Sequence, residues 1–234
     1  MAVVGALLLN IDAGEYPDEP DELFEVAGLV SIACGGHAGD AASMGRAIGL
    51  CHRYGTKAGA HPSFADREGF GRRALDVTPE ALEDSVAEQV GAIAWCADAL
   101  GVRLGYVKAH GALYHAADRE PALALALVRG AERGLRAGAF TLVGPAGGAL
   151  ARAAEARGHA FAREGFADRG ARADGSLVPR GEPGALVTDP LVAAARALAL
   201  ARSGAVDTVC VHADTPGALG IARAVRRELD AAAG

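Results

Sequence analysis

Four of the seven histidines in this chain lie where a short apolar run ends. They are His37, His61, His110 and His212. Each run predicts a buried strand, and a segment of helical character comes after it. In alternating β/α architectures the carboxyl ends of parallel strands share one rim, and active sites lie on that rim. The spacing therefore predicts that these histidines, far apart in sequence, meet in one pocket.

Asn10 and Asp12 end the first apolar run, which begins at Ala2. Residues two apart on a strand point to the same side, so the amide and the carboxylate are expected to face one space. Such a pair can orient a water molecule or hold a metal ion. The alternative is a capped turn in which backbone N–H groups satisfy Asp12. The expected rim position favours a functional site.

Lys108 and His110 are also two residues apart at the end of an apolar run. A lysine that faces a barrel interior needs a counter-charge, because an isolated buried charge is too costly. Lys108 is therefore predicted to bind a carboxylate or phosphate of a ligand, or else to pair with Asp12 or another acid at the rim. His212 and Asp214 repeat the same two-residue spacing, and an acid beside a histidine can fix its tautomer.

Two glycine-dense segments follow other predicted strands. His37 lies in the segment Cys34–Asp40, where it is either a metal ligand, an acid/base group or a hydrogen-bonded loop residue. The segment from Gly144 to Gly148 is either a phosphate-binding nest or a tight turn. The sequence has no G-x-x-x-x-G-K-[ST] motif, so a Walker P-loop is excluded.

The elements that must position these residues alternate along the whole chain. Strands are predicted near residues 2–9, 29–34, 56–60, 105–109, 140–143, 159–162 and 207–211. Helices are predicted near 21–27, 40–53, 79–100, 119–136, 146–157, 190–202 and 216–232. The runs are apolar on both faces, which favours a parallel sheet in an α/β fold. Seven units suit a (β/α) barrel, and a doubly wound sheet is the alternative.

Some helix starts and two long loops carry further signals. Thr78, Asp189 and Thr215 each precede a proline and are predicted helix caps, and Asp40 is predicted to cap the helix after Cys34–Asp40. Residues 61–77 and 163–189 are predicted loops, and their arginines favour a functional role.

Composition restricts the functional classes. The 234 residues are 51% hydrophobic and 22% charged, with a formal net charge of −6 and no basic block, which disfavours nucleic-acid and anionic-membrane binding. The apolar start has no basic n-region or cleavage site, and no apolar run reaches the length of a membrane span. Four cysteines without a C-x-x-C pair suit reduced thiols, so we expect a cytoplasmic protein. No Pro/Ser-rich or charged linker divides the chain, so we expect one domain over residues 1–234.

Six ordered motifs together resemble the LamB/YcsF family, whose members include the A subunit of the ATP-dependent 5-oxoprolinase. The motifs are Leu9-Asn-Ile-Asp-Ala-Gly-Glu15, Ile32-Ala-Cys-Gly-Gly-His-Ala-Gly-Asp40, Gly59-Ala-His-Pro-Ser63 with Gly69-Phe-Gly-Arg-Arg73, Val107-Lys-Ala-His-Gly-Ala-Leu-Tyr114, Phe166-Ala-Asp-Arg169 with Leu177-Val-Pro-Arg180, and Cys210-Val-His-Ala-Asp-Thr-Pro216. The family looks related to polysaccharide-deacetylase-type barrels, which favours a seven-unit (β/α) barrel over the doubly wound sheet.

The resemblance implies a reaction. It is the opening of 5-oxo-L-proline to L-glutamate with hydrolysis of ATP bound with Mg, alongside partner subunits B and C; a homo-oligomer stays open. Under this hypothesis Asp12 and His61 prepare the attacking water, and His110 or His212 protonates the ring nitrogen. Lys108 completes the catalytic set and holds a substrate anion. The residues predicted to bind substrate are Asn10, Arg72, Arg169, Arg180 and Asp214.

Two other functions are open at this level. One is a metal-dependent amide hydrolase that needs no ATP, with Asp12, His37 and His61 as metal ligands. The other is a non-catalytic subunit that binds a lactam or a carbohydrate and passes it to a partner.

Overall fold

Parallel strands form a closed barrel in this protein. The computed structural model describes residues 7–136, 138–172 and 176–233, so residues 2–6 of the predicted first strand and 173–175 of the second predicted loop lie outside the described residues. The strands are β1 Leu8–Ala13, β2 Leu29–Ala33, β3 Lys57–His61, β4 Tyr106–Lys108, β5 Thr141–Gly144, β6 Ala160–Phe166 and β7 Thr208–His212. They pair in sequence order, and β1 pairs with β7 to close the barrel. The predicted barrel is confirmed, and the doubly wound sheet is excluded.

Helices surround the barrel. They are α1 Glu22–Val26, α2 Ala41–Tyr54, α3 Pro79–Ala99, α4 Gly111–Arg119, α5 Pro121–Leu135, α6 Ala149–Ala156, α7 Pro190–Ser203 and α8 Ala218–Ala233. The helix predicted at 119–136 is α5, which begins at Pro121, whereas α4 before it was not predicted. Within the described residues no helix combines the length and apolar character needed to cross a membrane.

Most of the predicted caps are present. Thr78 accepts a hydrogen bond from Ala81 N, Asp189 accepts from Leu191 N, and Asp40 accepts from Ser43 N. The prediction for Thr215 is wrong. Its hydroxyl donates to Asp168 at 2.6 Å, and α8 begins three residues later.

Side-chain alternation divides β1 into an outer apolar face and an inner polar face. On β1, Leu9, Ile11 and Ala13 belong to the apolar core between the barrel and the helices, whereas Asn10 and Asp12 take part in a polar network inside the barrel. The expectation of strands apolar on both faces is therefore wrong for the part of the barrel interior that Asn10 and Asp12 line. A small apolar cluster of Leu29, Tyr106 and Val143 is separate from the main core.

The two predicted long loops are present, with shifted bounds. The first follows β3, and the second follows β6, which runs to Phe166 rather than to the predicted residue 162. The first strand likewise extends past its predicted end, so Asn10 and Asp12 lie within β1 and not after it. In both strands polar residues that face the barrel interior were mistaken for the end of a strand.

Candidate active site

Lys108 lies at the centre of a polar network inside the barrel. Its Nζ donates to Asp12 Oδ1 at 2.8 Å, to Asn10 Oδ1 at 3.1 Å and to Cys210 Sγ at 3.2 Å. Glu164 Oε1 forms an ion pair with the same Nζ at 2.8 Å. Lys108 thus has protein counter-charges, which was one of the two alternatives predicted for it.

Electrostatics keep Asp12 and Lys108 ionised. Burial alone would raise the pKa of Asp12, but the neighbouring Lys108 and His61 outweigh burial and hold that pKa well below its usual range. Burial would likewise lower the pKa of Lys108, but Asp12, Cys210 and Glu164 hold it well above its usual range. Asp12 is therefore a carboxylate whose second oxygen, Oδ2, faces His61 Nε2 at 3.4 Å and His212 Nε2 at 3.9 Å.

Three of the four rim histidines and one carboxylate form a second cluster. His61 Nε2 lies 3.1 Å from His110 Nδ1, and the rings of His37 and His110 stack with centroids 3.7 Å apart. Glu15 Oε1 lies 2.9 Å from His37 Nε2 and 3.3 Å from His110 Nδ1. The structure brings His37, His61 and His110 together as predicted, and adds Glu15.

Burial controls protonation in this cluster. It lowers the pKa of His37 to about 2, with a further contribution from the charge of His61. It also lowers the pKa of His110 well below the usual value. Burial, with the nearby carboxylates of Asp12 and Asp214, raises the pKa of Glu15 well above its usual value. The rings of His37 and His110 are therefore neutral imidazoles.

A turn of the first long loop covers the histidine cluster. Phe70 and Gly71 both have positive φ angles, 55° and 64°, and the Phe70 carbonyl accepts a hydrogen bond from His110 Nε2 at 3.0 Å. The Phe70 ring packs edge-on against His37, with ring centroids 5.3 Å apart, and stacks on Tyr16. With this turn in place, His37 is only 2% exposed and His61 only 1%.

His212 lies apart from the other three histidines and has a carboxylate partner. Asp168 accepts hydrogen bonds from the backbone N and Nδ1 of His212 at 2.9 and 3.0 Å, and from Thr215 Oγ1. This arrangement places the proton on Nδ1 and leaves a lone pair on Nε2, the nitrogen that faces Asp12. Asp214, predicted as the acid that fixes the tautomer of His212, instead accepts from Arg72 and Arg180, and Asp168 holds His212.

The predicted substrate-binding arginines have two different environments. Arg72 and Arg180, one from each long loop, both donate to Asp214, at 2.5 and 2.9 Å. Arg169 is buried and donates to the carbonyls of Val178 and Ala185 within its own loop. Arg169 therefore fastens the second loop, whereas Arg72 and Arg180 have partly exposed guanidinium groups.

Within the part of the chain that the structure describes, two groups of side chains have the spacing of metal sites. Glu15, His37, His61 and His110 form one group, and Asp12, Cys210 and His212 form the other, with ligand atoms within 4.8 Å of one another in each. The predicted ligand set of Asp12, His37 and His61 is thus divided between them.

Three carboxylates of the site were absent from the predicted site residues: Glu15, Glu164 and Asp168. Glu164 and Asp168 were placed in a loop because polar residues follow the apolar run at 159–162. Continuing the alternation from Ala162 would have placed Glu164 on the inner face of β6. For Asp168 and Glu15 the local pattern contains no such signal, because their partners lie on other elements.

The glycine segment after β5 does not fit a phosphate. Gly148 precedes α6, and a Cβ at this position would collide with the Asp118 carboxylate. A carboxylate at the first turn of α6 repels a phosphate. Of the two alternatives for this segment, the structure favours the tight turn.

Comparison with known proteins gives a consistent family. A sequence model described as the LamB/YcsF family matches residues 9–234. A curated protein from Methylococcus capsulatus, named as the A subunit of 5-oxoprolinase, is 44% identical over 95% of this chain and 92% of its own length. A protein of the same name from Streptomyces avermitilis is 42% identical over 95% of both chains.

A solved structure agrees with these relatives. The crystal structure of a protein described as a lactam utilization protein, from Thermus thermophilus, superposes with a TM-score of 0.88. It is 34% identical in sequence, and the match covers 97% of both chains.

Proposed function

This chain belongs to the LamB/YcsF family, and we propose that it is the A subunit of a 5-oxoprolinase, in which it opens the lactam of 5-oxo-L-proline to give L-glutamate. One observation carries the proposal. The ionised Asp12 carboxylate is neutralised on one side by Lys108 and faces two histidine nitrogens on the other, on the rim where the two arginine-bearing loops meet.

Ring opening of a lactam needs a positioned water and a proton for the leaving nitrogen. Oδ2 of Asp12 is the acceptor that orients the water and takes its proton, and His61 Nε2 lies 3.4 Å from that oxygen. His61 Nδ1 is engaged by the Lys108 carbonyl at 2.7 Å, which directs the free lone pair of the ring toward Asp12.

His212 is the better proton donor to the leaving nitrogen than His110. The proton of the neutral His110 ring lies on Nε2, where it is donated to the Phe70 carbonyl, and Nδ1 faces His61. The donor form of His212 carries a proton on both ring nitrogens: Asp168 accepts from Nδ1, and Nε2 gives its proton to the leaving nitrogen and keeps the lone pair.

The substrate carboxylate has a candidate partner in Arg72 and Arg180. Guanidinium groups recognise carboxylates with two parallel hydrogen bonds. Asp214 holds both groups at one place before the substrate binds, so little side-chain freedom is lost on binding. Arg169 contributes by fixing the loop that carries Arg180.

A lactam is a poor electrophile, and the family resemblance implies that ATP hydrolysis drives its opening. The glycine segment of this chain does not fit a phosphate, so no step of the mechanism above uses ATP bound there. The relatives are named as one lettered subunit of an enzyme, which supports a multi-subunit assembly. We assign the ATP chemistry to the assembly with partner subunits B and C.

The experiment that tests this function is glutamate release from 5-oxoproline and Mg-ATP, with the chain alone and with subunits B and C. We expect release only in the mixture. Asp12→Asn should lower the rate about 10²- to 10⁴-fold without unfolding the chain, because Glu164 still balances Lys108.

The matched control is Asp230→Asn, the same chemical change on an exposed position of α8. It should leave the rate unchanged. Near-normal release by Asp12→Asn would remove Asp12 from the mechanism. No release by the wild-type mixture, under conditions where a homologous chain is active, would favour the metal-dependent hydrolase or the binding subunit.

A further inference from the structure

The tautomer of His61 is determined by a backbone group. His61 Nδ1 lies 2.7 Å from the Lys108 carbonyl oxygen, which can only accept a hydrogen bond. The proton of the neutral ring must therefore be on Nδ1. Nε2 consequently presents a lone pair toward the cluster.

The tautomer of His110 is determined in the same way, on the opposite nitrogen. His110 Nε2 lies 3.0 Å from the Phe70 carbonyl oxygen, so it carries the proton. Nδ1 then presents a lone pair, and it lies 3.1 Å from Nε2 of His61. Two lone pairs thus face each other at hydrogen-bond distance without a hydrogen between them.

Further acceptor atoms surround this pair. Glu15 Oε1 lies 3.3 Å from His110 Nδ1 and 2.9 Å from His37 Nε2. Asp12 Oδ2 lies 3.4 Å from His61 Nε2. His37 Nε2 contacts Glu15 Oε1, and His37 Nδ1 is buried and has no hydrogen-bond partner among the described residues. If Glu15 and His37 both bind an ion, the proton of the neutral ring lies on Nδ1 and Nε2 presents its lone pair.

Glu15 also lacks a cation in contact with its Oε1. The side chains of Asp12, Glu15 and Glu164 are all buried, and Lys108 is the ammonium group that contacts Asp12 and Glu164. Among the described residues, Oε1 of Glu15 contacts the nitrogens of His37 and His110. A buried carboxylate in this position either takes up a proton or binds a cation.

A proton or a metal ion would each supply a positive centre, and the distances distinguish them. One proton satisfies a single pair of facing atoms and leaves the other acceptors unpaired. Ligands about 2.0–2.1 Å from a tetrahedral ion are separated by about 3.3 Å. The spacings of 2.9, 3.1 and 3.3 Å within the cluster are close to that value.

We propose that Glu15, His37, His61 and His110 bind one divalent transition-metal ion of the zinc class. The ligand atoms are Glu15 Oε1, His37 Nε2, His61 Nε2 and His110 Nδ1. Three imidazoles and one carboxylate suit zinc or cobalt better than magnesium, which prefers oxygen ligands. Asp12 lies outside the ligand set because Lys108 binds its Oδ1, and it faces the site from the barrel interior.

The ion would also link the covering turn to the site. The Phe70 carbonyl directs His110 Nδ1 toward the ion, and the Lys108 carbonyl directs His61 Nε2, so the two backbone groups act as orienting partners of the ligands. Binding of the ion does not depend on the function proposed above; only a role of the ion in ring opening rests on that function.

The test uses the full-length chain without substrate or partner subunits. After removal of metal with a chelator, Zn²⁺ is titrated by calorimetry, and Co²⁺ uptake is followed by its visible absorption. We expect one equivalent per chain, the intense visible bands of tetrahedral cobalt, and a rise in the thermal unfolding temperature.

Two ligand variants and one control define the site. Glu15→Gln and His110→Asn should each weaken Zn²⁺ binding by roughly tenfold or more. Glu15→Gln keeps the size of the side chain, so a folded variant is expected, and circular dichroism checks the fold. His115 is an exposed histidine on α4, and the control variant His115→Asn should bind zinc as tightly as the wild type.

The proposal is overturned if the folded wild-type chain does not take up Zn²⁺ or Co²⁺ in stoichiometric amounts. The remaining explanation would then be a proton shared between His61 and His110. Zn²⁺ binding by Glu15→Gln and His110→Asn as tight as that of the wild type would overturn the proposal as well. Because no turnover is measured, failure of the 5-oxoprolinase assay leaves this result unaffected, and the two proposals fail separately.

Discussion

At the scale of single residues, Lys108 is the side chain on which most of the barrel interior depends. It is 2% exposed and contacts Asp12 and Glu164, from two other strands. An ion pair of this kind is costly to break on one side, because the remaining charges stay buried.

We therefore predict that Lys108→Met lowers the free energy of unfolding by about 3–5 kcal/mol. The uncompensated carboxylates of Asp12 and Glu164 are the cause, and urea denaturation is the measurement. Glu164→Gln should lower the free energy of unfolding by less than Lys108→Met does, because Asp12 still pairs with Lys108. A Lys108→Met variant as stable as the wild type would contradict the ion-pair account.

Asp168 gives a prediction about acid stability. Burial alone would raise the pKa of its carboxyl, but the charge of His212 and the hydrogen bonds from His212 and Thr215 outweigh burial and lower it. A carboxyl whose folded pKa is depressed stabilises the protein above its unfolded pKa, about 3.9, and this contribution is lost as the pH falls through the folded pKa.

Asp168→Asn should therefore lower the free energy of unfolding by about 1.5–3 kcal/mol at pH 7. The difference in this free energy between the variant and the wild type should become smaller below about pH 4. Unfolding by urea at a series of pH values measures both. Asp207→Asn, which changes a carboxyl exposed to solvent, is the comparison and should give a smaller difference. A constant difference down to pH 2 would contradict the assigned charge of Asp168.

At the scale of elements, the site depends on how the first long loop packs against the start of α4. Ala112 N donates to the Gly71 carbonyl at 2.9 Å, directly beside the His110–Phe70 hydrogen bond. A Cβ on Gly111 would collide with that same carbonyl. The close approach of loop and helix thus requires glycine at position 111.

Gly111→Ala should displace the turn at Phe70 and Gly71, destabilise the protein and lower activity. The matched control is Gly101→Ala, because Gly101 also has a positive φ, 66°, but has open space around its Cβ position. The free energy of unfolding of the control should fall by only about 1 kcal/mol, because alanine is disfavoured in the left-handed backbone conformation. Thermal unfolding and the glutamate assay measure both variants. Equal losses of stability and activity in the two variants would show that the contact between Gly111 and Gly71 is unimportant.

At the scale of the whole molecule, closure of the barrel links the two ends of the described chain. β1 pairs with β7, and Asn10 Nδ2 donates to Thr208 Oγ1 at 2.8 Å across this junction. The main apolar core includes residues from Leu9 to Leu229. The interpretation as one domain over residues 1–234 stays a prediction, and this continuity supports it.

We expect one cooperative thermal transition. Calorimetry should give a van't Hoff enthalpy close to the calorimetric one, and circular dichroism and tyrosine absorbance should give coincident curves. Two separated transitions would contradict a single cooperative unit.

The sequence by itself determined the alternation of strands and helices, most of the caps and the rim positions of the histidines. These depend on local properties, such as runs of apolar side chains, prolines after capping residues and a period of two along each strand. The same local logic misplaced Glu164, because a polar residue on the inner face of a barrel looks like the end of a strand.

Only the tertiary structure decided which polar groups are partners. Lys108 and Asp12 are 96 positions apart, and Asn10 and Thr208 are 198 positions apart. Their distances depend on strand register and on closure of the barrel, which no local pattern contains. The pairing of His212 with Asp168 rather than Asp214, and of Glu15 with His37 and His110, has the same origin. Burial in that closed interior then sets their protonation, because it removes the water that would otherwise solvate each charge.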